Sequence, residues 1–414
     1  MPNYVGPDWI SRSFIVIAIA AAGRGSPAGA QATTSPRAFP ADSVVLRIIK
    51  RRVETRRVAG IVVGLLEPDG RRRIIAYGEP GPGQPPLDGN SVFEIGSITK
   101  VFTGMLLAQM TLTGEVSLDD PARKLLPATV RVPERNGREI TLRLLSTHRS
   151  GLPRDATNQV NFYADYGVPQ MYEFLSSYRL PREPGAEFEY SNIGVAVLGH
   201  ALSRAGGKSW DELQRDRIWT PLGLTATSAA LTPWQQAHLA LGHSPAGDVV
   251  PRQSQPHPLL APVGGIRSTA NDMLTFLAAH VQPSATPLAA AIELATRPQF
   301  VNAPGDAVGL NWFMNYASGD TIVWHNGGTT GYRTWAGFVR SRRMAVVVLA
   351  NSRGASMDDV GRHLLDAKFA LASPPASSRP NVVAWLVGIV ALGAALYGTV
   401  RWRRWWLRSR GAHP

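Results

Sequence analysis

The first residues that could do chemistry together are Ser97 and Lys100, in the stretch FEIGSITK at positions 93–100. Lysine occurs at five positions of this chain against 38 for arginine, so a lysine three residues after a serine stands out. Burial and neighbouring charges can shift the pKa of a lysine until it exchanges protons, whereas a guanidinium stays charged. On a helix, residues i and i+3 share a face and lie about 5–6 Å apart. The pair therefore predicts a serine nucleophile activated by a lysine.

The surrounding sequence places this serine at the beginning of a helix. β-like residues end at Gly96, and an apolar stripe of Leu106, Leu107 and Met110 follows at helical spacing. Free backbone N–H groups at a helix N-terminus can stabilise an oxyanion, and the helix dipole favours deprotonated forms of nearby groups. Chance nearly supplies one Ser-x-x-Lys in a chain of this composition, so the motif needs support from other segments.

A second segment with chemical potential is FEYSNIGVAVLGH, at positions 188–200. Tyr190, Ser191 and Asn192 stand where a Pro/Gly loop, REPGAEF, enters a predicted helix. A tyrosine can serve as a general base if nearby cations lower its pKa, and Lys100 is a candidate cation. The alternative is structural, with Asn192 capping the helix and Tyr190 packing against it.

A third segment is TIVWHNGGTTGYRTW, at positions 321–335. A β-rich run ends in His325, Asn326, Gly327 and Gly328 before another strand begins. Such a sequence suits an edge strand beside a cleft, because glycines let a ligand approach the backbone. His325 could bind an anionic group or relay a proton. The alternative is an ordinary hairpin that contains glycine.

The elements that must position these segments form an α+β pattern. A helix is predicted over 41–58, and GIVVGLLE and RRRIIAYGE form a β-hairpin around PDG. Helical patterns and loops dominate from about 97 to 300, and strands return in GDTIVWH, RTWAGFVRS and RMAVVVLAN, followed by a helix around 356–371. We predict an antiparallel sheet from both ends of the domain, flanked by helices, with a mainly helical inserted region.

Composition restricts the classes of function. The chain has 414 residues, of which 44% are hydrophobic and 18% charged, so it can bury a large core. The absence of cysteine excludes disulfides, thiolate catalysis and iron–sulfur clusters. The nine histidines form no close pair of metal-ligand spacing, so no metal is expected. The net charge of +13 comes largely from a C-terminal cluster and an amphipathic helix, and no nucleic-acid module accompanies it, so we expect no nucleic-acid partner.

The two ends of the chain predict export and a membrane anchor. Residues 1–30 resemble a signal peptide cleaved near Ala30, with an uncleaved anchor as the alternative. After the domain at 41–371 and a linker at 372–381, residues 382–400 are apolar and uncharged over a length that could span a bilayer. The basic tail at 401–414 predicts the cytoplasmic side. We therefore predict an inner-membrane protein with a single C-terminal span and a periplasmic domain.

Together, the three chemical segments resemble, in order and separation, the penicillin-recognising serine hydrolases: class C β-lactamases, serine DD-peptidases and related esterases. The resemblance covers most of residues 45–370 and includes LLSTHRSGLP, WTPLGLTAT and PVGGIRSTANDM. Three further segments, YGEPGPG, TLTGEVSLDDPARKLLP and RVPERNGREITL, look most like periplasmic DD-carboxypeptidase/endopeptidases close to class C β-lactamases. The resemblance implies a β-lactamase/transpeptidase-like fold, no cofactor, and cleavage of β-lactams or D-alanyl peptides, including peptidoglycan, through an acyl-enzyme.

Carried over by position, the resemblance implies Ser97 as the acylated nucleophile and Lys100 as its proton-accepting or orienting partner. It implies Tyr190 as the general acid/base and Asn192 as a hydrogen-bond partner of the substrate amide. The backbone N–H groups of Ser97 and Gly328 would form the oxyanion hole.

The resemblance also assigns His325, Asn326 and Gly327 to substrate binding, at the positions of the family's Lys-Thr-Gly triplet. Histidine in place of lysine weakens a permanent attraction for a carboxylate, because a histidine is only partly charged near neutral pH. Asn326 in place of threonine removes a hydroxyl that could contact that carboxylate, and Thr99 differs from the usual serine or alanine.

Three rival interpretations remain open from the sequence. GHSPA at 242–246 approaches the serine motif of α/β-hydrolases, which needs a strand before and a helix after the serine. His148 and Arg149 belong to a turn typical of the family and are predicted to be structural. A different class of function is a non-catalytic β-lactam sensor, which would hold the acyl group on Ser97 instead of releasing it.

Overall fold

The computed structural model describes residues 38–373, apart from 57, 159–165, 252–256, 318 and 355. Twelve α-helices lie within these ranges: α1 Asp42–Arg56, α2 Thr99–Leu112, α3 Leu142–Ser146, α4 Val168–Ser177, α5 Asn192–Gly206, α6 Trp210–Gln214, α7 Thr220–Leu222, α8 Pro233–Ala237, α9 Ala261–Gly264, α10 Ala270–Val281, α11 Ala289–Ala295 and α12 Asp358–Leu365. Short 3₁₀ turns and one π turn occur at Gly96–Ile98, Ala122–Leu125, Arg215–Trp219 and Pro283–Ala285.

Ten strands occupy the same described ranges: β1 Gly60–Leu66, β2 Arg72–Gly78, β3 Val92–Glu94, β4 Arg267–Thr269, β5 Phe300–Ala303, β6 Asp306–Val308, β7 Phe313–Ala317, β8 Asp320–Gly328, β9 Arg333–Val339 and β10 Met344–Ala350. Eight of them form one sheet in the order β2-β1-β10-β9-β8-β7-β6-β5, and β3 pairs with β4. Every neighbouring pair is antiparallel. The N-terminal hairpin joins the C-terminal strands through β1 and β10, as the sequence predicted.

The sheet is buried on both faces. All seven residues of β1 are buried, because alternate side chains enter two different cores. Val62 packs with the helical region around α2, α5 and α10. Ile61 and Val63 pack instead with Val45 of α1 and Val360 of α12. The helical insertion therefore lies on one face and the two terminal helices lie on the other.

The pairing of β8 opens a cleft at its second half. β7 pairs with β8 from Ala317 and Asp320 up to Phe313 and Trp324. β9 continues to pair along the other edge up to Gly328 and Arg333. From His325 onward, the edge of β8 that faces away from β9 is therefore not covered by β7. This uncovered edge is where the predicted site residues converge.

The predicted C-terminal membrane span requires correction. The longest helices of the described ranges, α1 and α5, have 15 residues each, about 22 Å at 1.5 Å per residue. The hydrocarbon core of a bilayer is about 30 Å thick, and none of the described helices is long and apolar enough to cross it. This finding corrects the predicted fold to an α+β domain in which none of the described helices could span a membrane. It also corrects the prediction of an inner-membrane protein. The segments predicted at 1–30, 382–400 and 401–414, and most of the linker at 372–381, lie outside the described residues.

Candidate active site

Ser97 lies in a 3₁₀ turn directly before α2 and lines the cleft. Gly96 precedes it with a φ of +54°, a conformation that side chains other than glycine rarely adopt. A Cβ at Gly96 would lie 2.6 Å from the backbone nitrogen of Gly328. Glycine is therefore required here on two grounds, and the turn that carries the serine packs directly against the backbone of β8. This contact brings Ser97 and Gly328 to the same wall of the cleft.

Lys100 is fully buried on the first turn of α2. Its Nζ donates to Ser97 Oγ at 3.0 Å and to the carbonyl of Val263 at 2.9 Å. Burial lowers the pKa of Lys100 well below its usual value, and the positive charge of Arg154 lowers it further, while Asp155 acts in the opposite direction. A lowered pKa increases the fraction of Lys100 in the neutral form, and the neutral amine can accept a proton from Ser97.

Tyr190 faces the same pair from the loop before α5. Lys100 Nζ lies 5.0 Å from the centroid of the Tyr190 ring, and Arg154 Cζ lies 5.1 Å from it. Burial raises the pKa of Tyr190 to about 12, although a hydrogen bond with Ser97 and the charge of Arg154 act to lower it. The idea that Lys100 would lower the pKa of this tyrosine is thus not supported. Tyr190 is a neutral phenol near pH 7, suited to donating a proton.

His325 lies on β8 and is fully buried beside the cleft. Its Nδ1 donates to the carbonyl of Asn326 at 2.6 Å, and its ring centroid lies 6.4 Å from that of Tyr190. Burial lowers the pKa of His325 to about 3, with a further contribution from Lys100. The histidine is therefore uncharged near neutral pH, and it cannot supply the permanent cation that a lysine would.

The two asparagines predicted to bind substrate line the cleft, and both already have protein partners. Asn192 Nδ2 donates to Asp155 Oδ1 at 2.8 Å. Asn326 Nδ2 donates to Asp358 Oδ2 at 2.7 Å, so its amide turns toward α12. Asn192 is not the helix cap, since the Oγ of Ser191 accepts from Gly194 N at the beginning of α5.

The cleft has a volume of about 710 Å³ and is lined by charged as well as apolar groups. Four arginines and three acidic side chains line it: Glu94, Arg154, Asp155, Arg267, Arg333, Arg353 and Asp358. Arg267 is buried and pairs with Glu94, with Nη2 and Oε1 3.2 Å apart. The volume is in the range of small-molecule sites.

Sequence reasoning missed several of these contributors. The carbonyl of Val263 in α9 accepts from Lys100, although the sequence signalled this segment only as PVGGIRS. Arg154 and Asp155 border Tyr190 and Asn192, and no motif pointed to them. Asp358 begins α12 and reaches Asn326 from a distance of 32 residues in sequence. Contacts between distant backbone segments carry no local pattern from which they could be predicted.

The rival serine in GHSPA lacks the surroundings that its motif needs. Ser244 lies between an isolated bridge at His243 and a turn, with no strand before it and no helix after it among these described residues. Its Oγ accepts from Ala246 N and Asp248 N. The segment is a turn, and Ser244 is at most a local capping group.

Comparison with known proteins identifies the family of this chain. The family model described as Beta-lactamase matches residues 45–371. The D-alanyl-D-alanine-carboxypeptidase/endopeptidase AmpH of Escherichia coli (strain K12) is 31% identical over 305 residues, which are 68% of this chain and 77% of that protein. A β-lactamase of Pseudomonas fluorescens is 25% identical over 347 residues, 74% of this chain and 92% of that protein. Penicillin-binding protein 4 of Amycolatopsis lactamdurans is 27% identical over 327 residues, 72% and 84% respectively.

Proposed function

The chain belongs to the β-lactamase family of serine hydrolases, and we propose that it cleaves the amide bond of β-lactams or D-alanyl peptides through an acyl-enzyme on Ser97. The observation that carries the proposal is the 3.0 Å contact between Lys100 Nζ and Ser97 Oγ. It joins a nucleophile to a buried amine whose pKa is strongly lowered. No metal or organic cofactor enters this chemistry.

Acylation begins when Ser97 Oγ transfers its proton to the neutral Nζ of Lys100 and attacks the substrate carbonyl carbon. The oxyanion is stabilised by the backbone N–H groups of Ser97 and Gly328. The carbon–nitrogen bond then breaks, and the leaving nitrogen takes a proton from the phenol of Tyr190. This leaves an ester on Ser97, an ammonium at Lys100 and a phenolate at Tyr190.

Deacylation uses the phenolate as the general base. Tyr190 takes a proton from water, and the resulting hydroxide attacks the ester carbonyl. When the tetrahedral intermediate collapses, Ser97 Oγ recovers its proton from the Lys100 ammonium. The three side chains return to their starting protonation states, so no other proton carrier is needed.

The substrate class is limited by the charge of the cleft. Because His325 is neutral near pH 7, a carboxylate on the substrate lacks a permanent cation on that side chain. The arginines that line the cleft, Arg333 and Arg353 among them, supply positive charge there. A carboxylate-bearing substrate therefore fits, and D-alanyl peptides are the second candidate because the AmpH relative, named as a D-alanyl-D-alanine-carboxypeptidase/endopeptidase, is 31% identical.

A three-substrate panel on wild type and Ser97→Ala tests the function. The substrates are a chromogenic cephalosporin, a D-Ala-D-Ala peptide and a p-nitrophenyl ester, and the matched control is Ser244→Ala in the rival turn. We expect turnover of at least one substrate by wild type and by Ser244→Ala, and none by Ser97→Ala. Unchanged turnover of every substrate by Ser97→Ala would overturn the proposal.

Mass spectrometry separates hydrolysis from sensing. A hydrolase releases the penicilloyl group from Ser97 within the turnover time, whereas a sensor keeps the adduct for hours. If wild type forms a stable adduct and releases no product, the protein is a sensor and the hydrolase proposal is wrong.

A further inference from the structure

The loop that carries Tyr190 is attached along its length to one turn, residues 148–154, which we call the docking turn. Backbone N–H groups of Gly185 and Glu189 donate to the carbonyls of Arg149 and His148, each at 2.7 Å. Beyond the tyrosine, Ser191 Oγ donates to the carbonyl of Pro153 at 2.7 Å. The docking turn therefore holds the loop on both sides of Tyr190.

His148 makes the closest set of contacts in this arrangement. Its Nδ1 accepts from Ser191 N at 3.1 Å, and its carbonyl accepts from Glu189 N. Its ring centroid lies 4.4 Å from that of Tyr190, with the two planes tilted by 32°. One residue thus binds both chain neighbours of the tyrosine and packs against its ring.

The conformation of His148 supports more than a space-filling role. The residue has a φ of +58° and a fully buried side chain. A bulky residue persists in this region of backbone space when the surrounding contacts over-determine it, and such positions cluster at functional sites. Because Nδ1 accepts a hydrogen bond, the neutral ring carries its proton on Nε2, for which no partner exists among the described groups.

We propose that His148 is a positioning residue for Tyr190, holding the phenol where it can exchange protons with the substrate and Ser97. The inference rests on the proposed function, because it assigns a role that acts through the proton transfers of Tyr190. His148 itself touches no reacting atom. Its contribution is the orientation of a loop side chain that α5 alone does not hold.

Two variants separate the contribution of the hydrogen-bond acceptor of His148 from that of its ring. His148→Asn keeps an acceptor close to the position of Nδ1 and tolerates positive φ. His148→Gly also tolerates positive φ, but it removes both the acceptor and the ring. We expect kcat to fall by about 100-fold in the glycine variant, since a displacement of about 1 Å at a reacting group can cost that much. The asparagine variant should limit the loss to about tenfold, because it keeps the acceptor but not the ring, and KM should change little in either.

The matched control is His280→Ala. His280 is also a fully buried histidine, with Nδ1 bonded to the carbonyl of Phe276 and Nε2 unpartnered within the described part of the chain. It lies on α10, outside the residues that line the cleft. We expect this variant to melt at a lower temperature without a loss of kcat. If His280→Ala and His148→Gly lose kcat equally, His148 has only a general packing role and the inference is wrong.

The deciding experiment is a double-mutant cycle with Tyr190→Phe, in which acylation of Ser97 by the cephalosporin is timed by mass spectrometry. If His148 acts through Tyr190, His148→Gly should slow acylation by less than threefold in the phenylalanine background, against about 100-fold in wild type. If the losses of acylation rate in His148→Gly and Tyr190→Phe multiply in the double variant, the inference is overturned. If His148→Gly does not fold, His148→Asn is carried through the same cycle, with a loss of about tenfold expected in wild type and none with Tyr190→Phe. Failure of wild type to acylate Ser97 would instead sink the proposed function.

Discussion

The two walls of the cleft are built in different ways. The wall that carries Ser97 and Lys100 consists of a 3₁₀ turn, which packs on the backbone of β8, and the regular helix α2 that follows it. The wall that carries Tyr190 is a loop, held by hydrogen bonds to the docking turn. On the first wall, the backbone of regular secondary structure positions the side chains that we propose for the chemistry. On the second, side chains such as His148 must do the positioning.

The difference predicts how each wall responds to change. A substitution in the helical wall alters either a proposed catalytic group or the backbone that carries this group. We therefore expect a large loss of activity. A substitution in the loop wall should act in proportion to the contacts that it removes. The four experiments below test this contrast.

The largest effect is expected for Lys100→Arg. A guanidinium cannot become neutral near pH 7 and so cannot accept the Ser97 proton. We expect kcat to fall by about 10²- to 10⁴-fold, the usual range for loss of a general base. The control is Lys124→Arg, which changes an exposed lysine paired with Asp120 and should retain full activity. Activity of Lys100→Arg within tenfold of wild type would contradict the role of this amine.

The next effect concerns acid, because three histidines are fully buried: His148 on the docking turn, His325 on β8 and His280 on α10. Burial lowers the pKa values of His148, His280 and His325 below the usual 6.5. Below pH 6.5 the unfolded chain binds more protons than the folded one, so the free energy of unfolding falls as pH falls. Below pH 6.5 each group contributes about 1.4 kcal/mol per pH unit. Only the lower half of the range from pH 7.5 to 5.5 lies below that value, so all three together contribute about 4 kcal/mol.

Urea unfolding at the two pH values measures this change. His280→Gln should reduce the pH dependence by about a third, because one of the three groups is removed. A free energy of unfolding that stays constant from pH 7.5 to 5.5 would show that these histidines take up protons in the folded protein as they do in the unfolded chain.

A smaller effect is expected for Gly96→Ala, compared with Gly114→Ala. Both glycines have positive φ, so both variants should lose about 1–2 kcal/mol of unfolding free energy through backbone strain. A Cβ at Gly114 meets no atom within 4 Å, whereas one at Gly96 meets the backbone nitrogen of Gly328. Only Gly96→Ala should therefore also lower kcat, which steady-state kinetics will measure. Equal kcat in the two variants would show that the oxyanion region tolerates the displacement.

The smallest effect is expected on the loop wall, for Asp155→Ala. This change removes the hydrogen bond from Asn192 Nδ2, a net contribution of about 1 kcal/mol. We expect KM to rise roughly fivefold, because Asn192 loses its orientation. Asp155→Asn keeps an acceptor oxygen and should stay within twofold of wild type. A larger loss in Asp155→Asn than in Asp155→Ala would show that the negative charge matters instead.

The sequence by itself named the groups that we propose for the site and predicted much of the framework that carries them. Hydrophobic periodicity located the sheet strands at both ends and helix α2, because a buried strand or helix repeats its apolar pattern locally. Ser97, Lys100, Tyr190 and His325 were also named from local patterns, and the structure places them close to one another.

Tertiary structure alone decided the protonation states and the supporting contacts. Burial is a property of the assembled core, so the lowered pKa of Lys100 and the raised pKa of Tyr190 could not be read from neighbours in sequence. The hydrogen bond from Ser191 N to His148 Nδ1 joins residues 43 apart in the sequence. The hydrogen bond between Asn326 and Asp358 joins residues 32 apart. Contacts of this kind depend on how distant segments meet in three dimensions, which no local repeat encodes.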